Sequence, residues 1–347
     1  MFRKEFPITK NHAYFNTAYV GMMSRSLIKY RSQYDHQLFK SIWDYKSKSD
    51  TLLSETRKLA SQLIGSDNDK TLITNSLSSG IRFALDCLSQ QSKVLILEDD
   101  YPSLTKAVDE RNFQITKMPI THDLEQKMVQ EIGKRKIDVL LLSVVQYISG
   151  LKVDFEHLKK IKQEHPNLLI LGDATQFVGT ELFEMNDSPF DVMALSSYKW
   201  LLAGFGSGVL CFSDHFLNKT KTSLRELEST VQVGHVNLGA VSSLKFAIEK
   251  LFEWDYEKLM DKKNQVCQYL KHKLSELELL DEMGQKRKNH SSIFNLKLDP
   301  LFHKKLKEKG IQTSLRGNGI RVSVHFYNTP KDVDLLMKTI QRARLTV

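Results

Sequence analysis

The chain has 347 residues, 41% hydrophobic and 26% charged, which is enough for a large core and two domains. No apolar run approaches the roughly 20 residues that cross a bilayer, so a membrane partner is not expected. The net charge of +9 is uneven, because residues 262–347 hold 18 Lys/Arg against 8 Asp/Glu.

The first 50 residues read as partly helical and as lying across the two domains. From about residue 70 to 212, short apolar runs alternate with amphipathic stretches. The expected strands are Thr71–Thr74, Lys93–Leu97, Phe113–Met118, Val139–Val144, Leu168–Leu171, Val192–Ser196 and Gly208–Phe212. Several are near-continuous Val, Ile and Leu, as in strands covered on both faces. Helical patterns fall between them at Ile81–Leu88, Ser103–Arg111, Leu124–Lys134 and Phe155–Glu164. This alternation predicts an α/β fold with a mostly parallel sheet.

From about residue 240 the texture changes. A long helix is expected from Ala240 to about Glu276, broken near Trp254. A strand (Ser292–Leu298), a helix (Leu301–Lys309), a strand (Ile320–His325) and a final helix (Pro330–Arg344) then make a small α+β domain. The predicted division is 12–250 for the large domain, with 1–11 and 251–347 forming the small one.

Two residues at strand ends carry the chemistry. Asp173 closes the apolar run Leu168-Leu-Ile-Leu-Gly-Asp, and Lys199 follows the next strand inside Ser196-Ser197-Tyr198-Lys199-Trp200. An acid ending such a strand needs a partner, or else caps a loop. A lysine between two aromatics after a buried strand has a lowered pKa and a nucleophilic amine. Together they suit pyridoxal 5'-phosphate (PLP). The amine forms a Schiff base with the aldehyde, and the carboxylate keeps the ring nitrogen protonated.

Other residues fit around that pair. Asn75-Ser-Leu-Ser78-Ser79-Gly80 reads as a turn into a helix, where Ser78 and Ser79 suit a phosphate, although serine there also serves as a plain N-cap. Ser196 and Tyr198 could bind phosphate, and Gln176 could reach the phenolic oxygen of the ring. Gly204-Phe-Gly206-Ser-Gly208 precedes a strand rather than a helix, so it is no dinucleotide fingerprint. Arg321 stands in an apolar strand with no acidic neighbour, ready for a substrate carboxylate.

These motifs together resemble the class V aminotransferase family over nearly the whole chain. Tyr14-Phe-Asn16-Thr-Ala18 is similar to the family's "YLNTA" opening, and Leu77-Ser-Ser-Gly-Ile-Arg82 takes the place of its phosphate-side turn. Asp100-Tyr101-Pro-Ser103 resembles the segment whose aromatic stacks on the PLP ring. Asp173-Ala-Thr-Gln176 resembles "DGAQ", and Tyr198-Lys199-Trp200 resembles "YKW". The strand from Arg321 to Asn328 is similar to the one whose arginine binds the substrate carboxylate.

The resemblance implies a fold-type I PLP enzyme acting on a small amino substrate, with an active site shared across a homodimer. It places Asn16 and Gln146 on the substrate side. Gly234-His235-Val236-Asn237 aligns with a "GTPN" segment that reaches the neighbouring subunit's phosphate, so His235 is expected there. Desulfurases of the family carry a cysteine shortly before the arginine strand, but Gly310–Gly319 has none. Val145-Gln146-Tyr147 is closer to epimerase- and lyase-like members.

Transamination is the leading expectation, with a lyase or epimerase as the alternative. The basic C-terminal region suggests a third possibility, a non-catalytic interaction protein. Nucleic-acid binding is not expected, because no binding motif accompanies those charges, and Lys304, Lys305, Lys307 and Lys309 suit a solvated helix face. A nicotinamide enzyme lacks its glycine fingerprint here. Cys87, Cys211 and Cys267 have neither metal-ligand spacing nor disulfide density and read as reduced core residues. The N-terminal Met1-Phe-Arg-Lys-Glu-Phe-Pro7 lacks a signal peptide's apolar core, so a cytoplasmic location is expected.

Overall fold

The computed structural model of the chain describes residues 2–231, 236–287 and 289–345. Two 3-10 turns (Phe2–Glu5 and Pro7–Lys10) lead to a short strand, β1 (Ala13–Tyr14). Helices α1 (Arg25–Lys40), α2 (Ile42–Ser47) and α3 (Ser49–Ile64) follow. Helix α1 starts where the extended Ser24 accepts the Leu27 N–H through its side chain. Helix α3 stops at Gly65, whose φ of 64° is the left-handed position favouring glycine.

Seven strands form the central sheet: β2 (Thr71–Thr74), β3 (Lys93–Leu97), β4 (Gln114–Met118), β5 (Val139–Ser143), β6 (Leu169–Asp173), β7 (Val192–Ser196) and β8 (Gly208–Phe212). Their spatial order is β2-β8-β7-β6-β5-β3-β4. Strand β8 is antiparallel to both neighbours, and every other pair is parallel. The connecting helices are α4 (Leu77–Asp86), α5 (Pro102–Asp109), α6 (Leu124–Arg135) and α7 (Phe155–Glu164); α8 (Asp214–Thr220), α9 (Leu224–Val231) and α10 (Leu238–Glu253) follow the last strand. Strands β5 to β8 are buried along their whole length because helices cover both faces. Leu95, Leu140, Ile170 and Met193 face α6, α7 and α10. Ile96, Leu141, Leu171 and Ala194 face α4 and α5. Edge strand β4 instead exposes Gln114 and Lys117, as a free sheet edge requires.

The direction of winding reverses between β3 and β5. The crevice beyond the C-terminal strand ends at such a reversal is where ligands bind in doubly wound sheets.

The C-terminal part begins with α11 (Tyr256–Glu276) and α12 (Glu282–Lys286). It continues through β9 (Ile293–Leu296), α13 (Leu301–Glu308), β10 (Ile311–Gln312), β11 (Ser314–Arg316), β12 (Gly319–Ser323) and α14 (Pro330–Arg344). Strands β11, β12 and β9 make a small antiparallel sheet. Phe294, Ile320 and Val322 pack there against Val266 and Leu270 of α11 and Leu336 and Ile340 of α14.

Several elements differ from the sequence expectation. Helix α4 begins at Leu77 rather than Ile81, because Ser76 and Ser79 form a reciprocal capping box. Strand β6 continues to Asp173, so the carboxylate sits on the strand itself. The expected break near Trp254 is real, with Asp255 at φ 65° separating α10 from α11. Strands β1, β10 and β11 have two or three residues each, too few to carry a period. Among the described residues, no helix is long and apolar enough to cross a membrane.

An N-terminal strap ties the two sheets together. Ala13 and Tyr14 pair in parallel with Ile311 and Gln312. The Ala18 N–H donates to the Ser323 hydroxyl (3.0 Å), and the Gly21 N–H donates to the Tyr198 carbonyl (3.0 Å). Arg3 forks onto Asp332 at 2.5 and 2.9 Å. His325, 1% exposed, lies in the same seam. The Phe326 N–H donates to its Nδ1, so the ring proton resides on Nε2, which donates to the Trp200 carbonyl (3.0 Å). The imidazole stacks between Trp200 and Tyr327. Burial pushes its pKa down to about 3.

An unfolded histidine titrates near 6.5, so as pH falls the unfolded chain takes up this proton first. His325 therefore supports folding above that pH and loses its contribution as pH falls towards the folded value. Urea unfolding between pH 6 and pH 4.5 is expected to show wild type losing about 1.4 kcal/mol more per pH unit than His325→Gln. Equal slopes would remove His325 from the pH dependence.

Candidate active site

Four parallel strands of the central sheet deliver side chains to one crevice. Lys199, three residues beyond β7, is only 6% exposed. Its Nζ lies 5.5 Å from the Tyr101 ring centre and 5.6 Å from that of Tyr198. Desolvation lowers its pKa to about 8; the Asp173 charge opposes this, and Arg321 and Arg316 reinforce it. Asp173, at the end of β6, is 4% exposed and accepts the Thr175 N–H at 2.8 Å. Burial raises its pKa to about 6, while Thr175 and Lys199 hold it back. The Thr175 hydroxyl in turn accepts the Ser196 N–H (3.1 Å), which locks the ends of β6 and β7 together.

Asp100 fixes the third strand end. Its carboxylate accepts the Ser143 N–H (2.8 Å), the Ser143 hydroxyl and the Tyr101 N–H (2.7 Å). This joins the tail of β3 to the end of β5 and sets Tyr101 beside Lys199. Burial raises the pKa of this acid, and the three hydrogen bonds lower it.

At the other side of the crevice, two helix N-termini approach each other. The Ser78 hydroxyl of α4 donates to the Ser103 hydroxyl of α5 at 2.9 Å. The positive ends of both helices suit an anion. Ser79 is engaged in the capping box, and the Ser196 hydroxyl accepts the Leu77 N–H (2.9 Å). Both serines therefore shape the turn into α4.

Arg321, 2% exposed on β12, donates from Nη1 to the Tyr147 carbonyl at 2.6 Å. Its Nη2 is buried without a partner, and burial lowers the guanidinium pKa to about 9. The Asn16 Oδ1 is likewise buried and unpartnered. Gln146 and Gln176 are more committed. The Gln146 carbonyl accepts the N–H groups of Ile148 and Ser149 (2.7 Å each), and its amide donates to the Asp99 carbonyl. Gln176 donates to the Ala18 carbonyl (2.9 Å) and accepts the Trp200 indole N–H (2.8 Å). Tyr198 stacks on Phe205, and burial raises its phenol to about 12. His235 lies outside the described residues.

The crevice thus brings Lys199, Asp173, Tyr101, Tyr198 and Arg321 within electrostatic reach of one another. Asp100, Thr175, Gly21 and Arg316 join the site only through the fold. An acid directly before the aromatic, after an apolar strand, was the available signal for Asp100. Gly21 gave no signal, because its constraint is the backbone of Lys199.

The aminotransferase class-V profile matches residues 22–336. The chain belongs to the aminotransferase class-V family. An uncharacterized aminotransferase of Schizosaccharomyces pombe is 22% identical over 389 aligned positions, covering 99% of this chain and 96% of that protein. The structure is similar to that of the cystine C–S lyase C-DES in complex with cysteine persulfide, with TM-score 0.85, 17% identity and 96% and 98% of the two chains covered. A cysteine desulfurase from Thermococcus onnurineus NA1 gives TM-score 0.82 at 15% identity, covering 100% of this chain and 98% of its own. The desulfurase CsdA from Escherichia coli gives 0.80 at 16%, with the same coverage.

The shared fold is that of fold-type I PLP enzymes. This class V enzyme uses PLP as its cofactor. Its crevice fits that group: a desolvated amine, a buried carboxylate and two facing helix N-termini surround it, and one buried arginine nitrogen lacks a partner. The three free cysteines lie on β8, just after α4 and on α11, and none falls within the segment Gly310–Gly319.

Two outcomes are expected. A methyl group at Gly21 would lie 1.9 Å from the Lys199 carbonyl oxygen, so Gly21→Ala should cost about 2 kcal/mol or more in urea unfolding and weaken PLP retention. Unchanged stability and retention would show that the strap can move aside. The rate of PLP capture by the apoprotein should rise with pH and level off above about 8, rather than near the 10.5 of an ordinary lysine. A rate still climbing at pH 9.5 would mean that the amine is solvated.

Proposed function

We propose that the protein is an aminotransferase acting on a small amino acid, with Lys199 and Asp173 as its catalytic residues. The observation that carries this reading is a desolvated lysine and a buried aspartate at the ends of adjacent strands, facing an arginine with an unused nitrogen. Bound PLP supplies an electron-withdrawing ring that weakens the bonds at a substrate's α-carbon. The buried Asp173 carboxylate would hold a proton on the ring nitrogen. Ser78, Ser79 and Ser196 set the α4 turn that would hold the phosphate, and His235 would serve it from the neighbouring subunit. Tyr101 would lie against the ring face, and the Tyr198 ring stands 5.6 Å from the amine. Gln176 would reach the phenolic oxygen with its second amide hydrogen, the first staying on the Ala18 carbonyl.

Arg321 binds the substrate carboxylate through Nη2, while Nη1 stays on the Tyr147 carbonyl. Asn16 offers a second polar contact, and Gln146 shapes the loop that carries Tyr147. The Lys199 Nζ would take the proton from the substrate α-carbon and hold it, acting first as base and then as acid. The Tyr101 and Tyr198 rings, 5.5 and 5.6 Å from that amine, help to keep water from it. A lyase or epimerase is the second reading, favoured by the segment Val145-Gln146-Tyr147. Relay of sulfur through a loop cysteine is not proposed, because Gly310–Gly319 holds none.

The proposal includes a homodimer in the cytoplasm and the two-domain division, 12–250 against 1–11 with 251–347. Tyr19 and Phe205, 54% and 69% exposed beside the crevice, support a subunit contact there.

Lys199→Ala is expected to abolish the visible absorbance of PLP-bound protein and its covalent fixation by borohydride. Wild type should show both, with the label mapped to residue 199 by mass spectrometry. A folded wild type without either would overturn the reading. Asp173→Ala should retain PLP yet lose on the order of 100- to 1000-fold in turnover on an amino-donor panel. Preserved turnover would remove Asp173 from its role. Amino transfer to a 2-oxo acid, set against released alanine or racemised product, separates the two reactions.

A further inference from the structure

A second arginine stands beside the first without an anionic partner. In the β11–β12 hairpin, Ser314 pairs with Arg321 and Arg316 pairs with Gly319. Cross-strand partners share a sheet face, as do residues two apart on one strand. Arg316 and Arg321 therefore project from the same face as diagonal neighbours, and the position opposite Arg316 carries no side chain. That glycine is enforced, because a methyl group there would meet the Asn295 Oδ1 at 2.2 Å. Asn295 also donates to the Arg316 carbonyl (2.9 Å), which steadies the hairpin.

The Arg316 guanidinium lies 5.3 Å from the Tyr19 ring centre and donates only to the adjacent Leu315 carbonyl (2.8 Å). Among the described residues it forms no ion pair. It is close enough to the crevice to act on Lys199, Arg321 and Tyr147. Asp99 and Asp100 also act on Tyr147. Neither is an ion-pair partner of Arg316, and the Asp100 carboxylate is held by Ser143 and Tyr101. Two guanidinium groups thus stand together at the substrate side. One carboxylate on Arg321 leaves the Arg316 charge unmatched.

We propose that Arg316 determines substrate specificity by binding a second carboxylate, so that the enzyme prefers amino acids or 2-oxo acids with an acidic side chain. This inference rests on the role of Arg321 proposed above. A guanidinium offers such a group two parallel hydrogen bonds, and Tyr19 limits its swing.

The test uses PLP-loaded protein and two unreactive probes, glutarate and butyrate, titrated by calorimetry. Wild type is expected to bind glutarate at least about tenfold more tightly than butyrate, a difference of about 1.4 kcal/mol. Arg316→Gln should bring glutarate down to the butyrate level and leave butyrate unchanged, while Arg316→Lys keeps part of the preference. Arg321→Gln should weaken both probes. A preference that survives Arg316→Gln, or none in wild type, overturns the proposal and leaves Arg321 in its role. Butyrate binding untouched by Arg321→Gln defeats the carboxylate role itself, and the proposal falls with it. Melting temperatures matching wild type show that each variant is folded.

Discussion

A lysine amine and an aspartate carboxylate are kept out of water at the ends of neighbouring strands, and the surrounding structure is arranged to tolerate this. Desolvation pushes the lysine down and the acid up, so each drifts toward its neutral form. Their mutual attraction opposes that drift without cancelling it. Such a pair is costly to bury unless its neighbours supply hydrogen bonds. Thr175 supplies one to Asp173 and, through its hydroxyl, fixes β7 beside β6. Asp100 performs the same service for β3 and β5. The polar residues at the strand ends therefore hold the crevice open as well as line it.

The second constraint is the strap. Chain segments 13–21 touch the small sheet at one end and the Lys199 backbone at the other. His325 and Trp200 make the reciprocal connection from the C-terminal part. The arginine strand and the lysine loop are thus held to one another by backbone hydrogen bonds and stacked rings. A substrate clamp on the small sheet needs that rigidity, because the reacting carbon must stay near the lysine amine.

Sequence reading recovered much of this because the relevant signals are local. Strands β5 and β7 announce themselves as continuous apolar runs, and Asp173 and Lys199 interrupt such texture with charges. Arg321 was legible for the same reason. The start of helix α4 is hidden in the sequence because the periodic residues begin after its cap, and the cap is a side-chain exchange between Ser76 and Ser79. The motifs put Gln146 on the substrate side and Gln176 near the phenolic oxygen of the ring. The structure gives their amides loop and strap partners that lie far away in sequence. The strands of two or three residues carried no pattern at all.

The division has a physical basis. Hydrophobic period and the rarity of charge inside an apolar run are properties of neighbouring residues, so the chain alone determined the α/β order, the buried lysine, the buried acid and the strand arginine. Register, diagonal neighbours and shared desolvation are properties of segments more than a hundred residues apart. Only the fold decided that Gly21 presses on the Lys199 carbonyl, that Arg321 retains one unpartnered nitrogen, and that Arg316 stands on the same sheet face beside it.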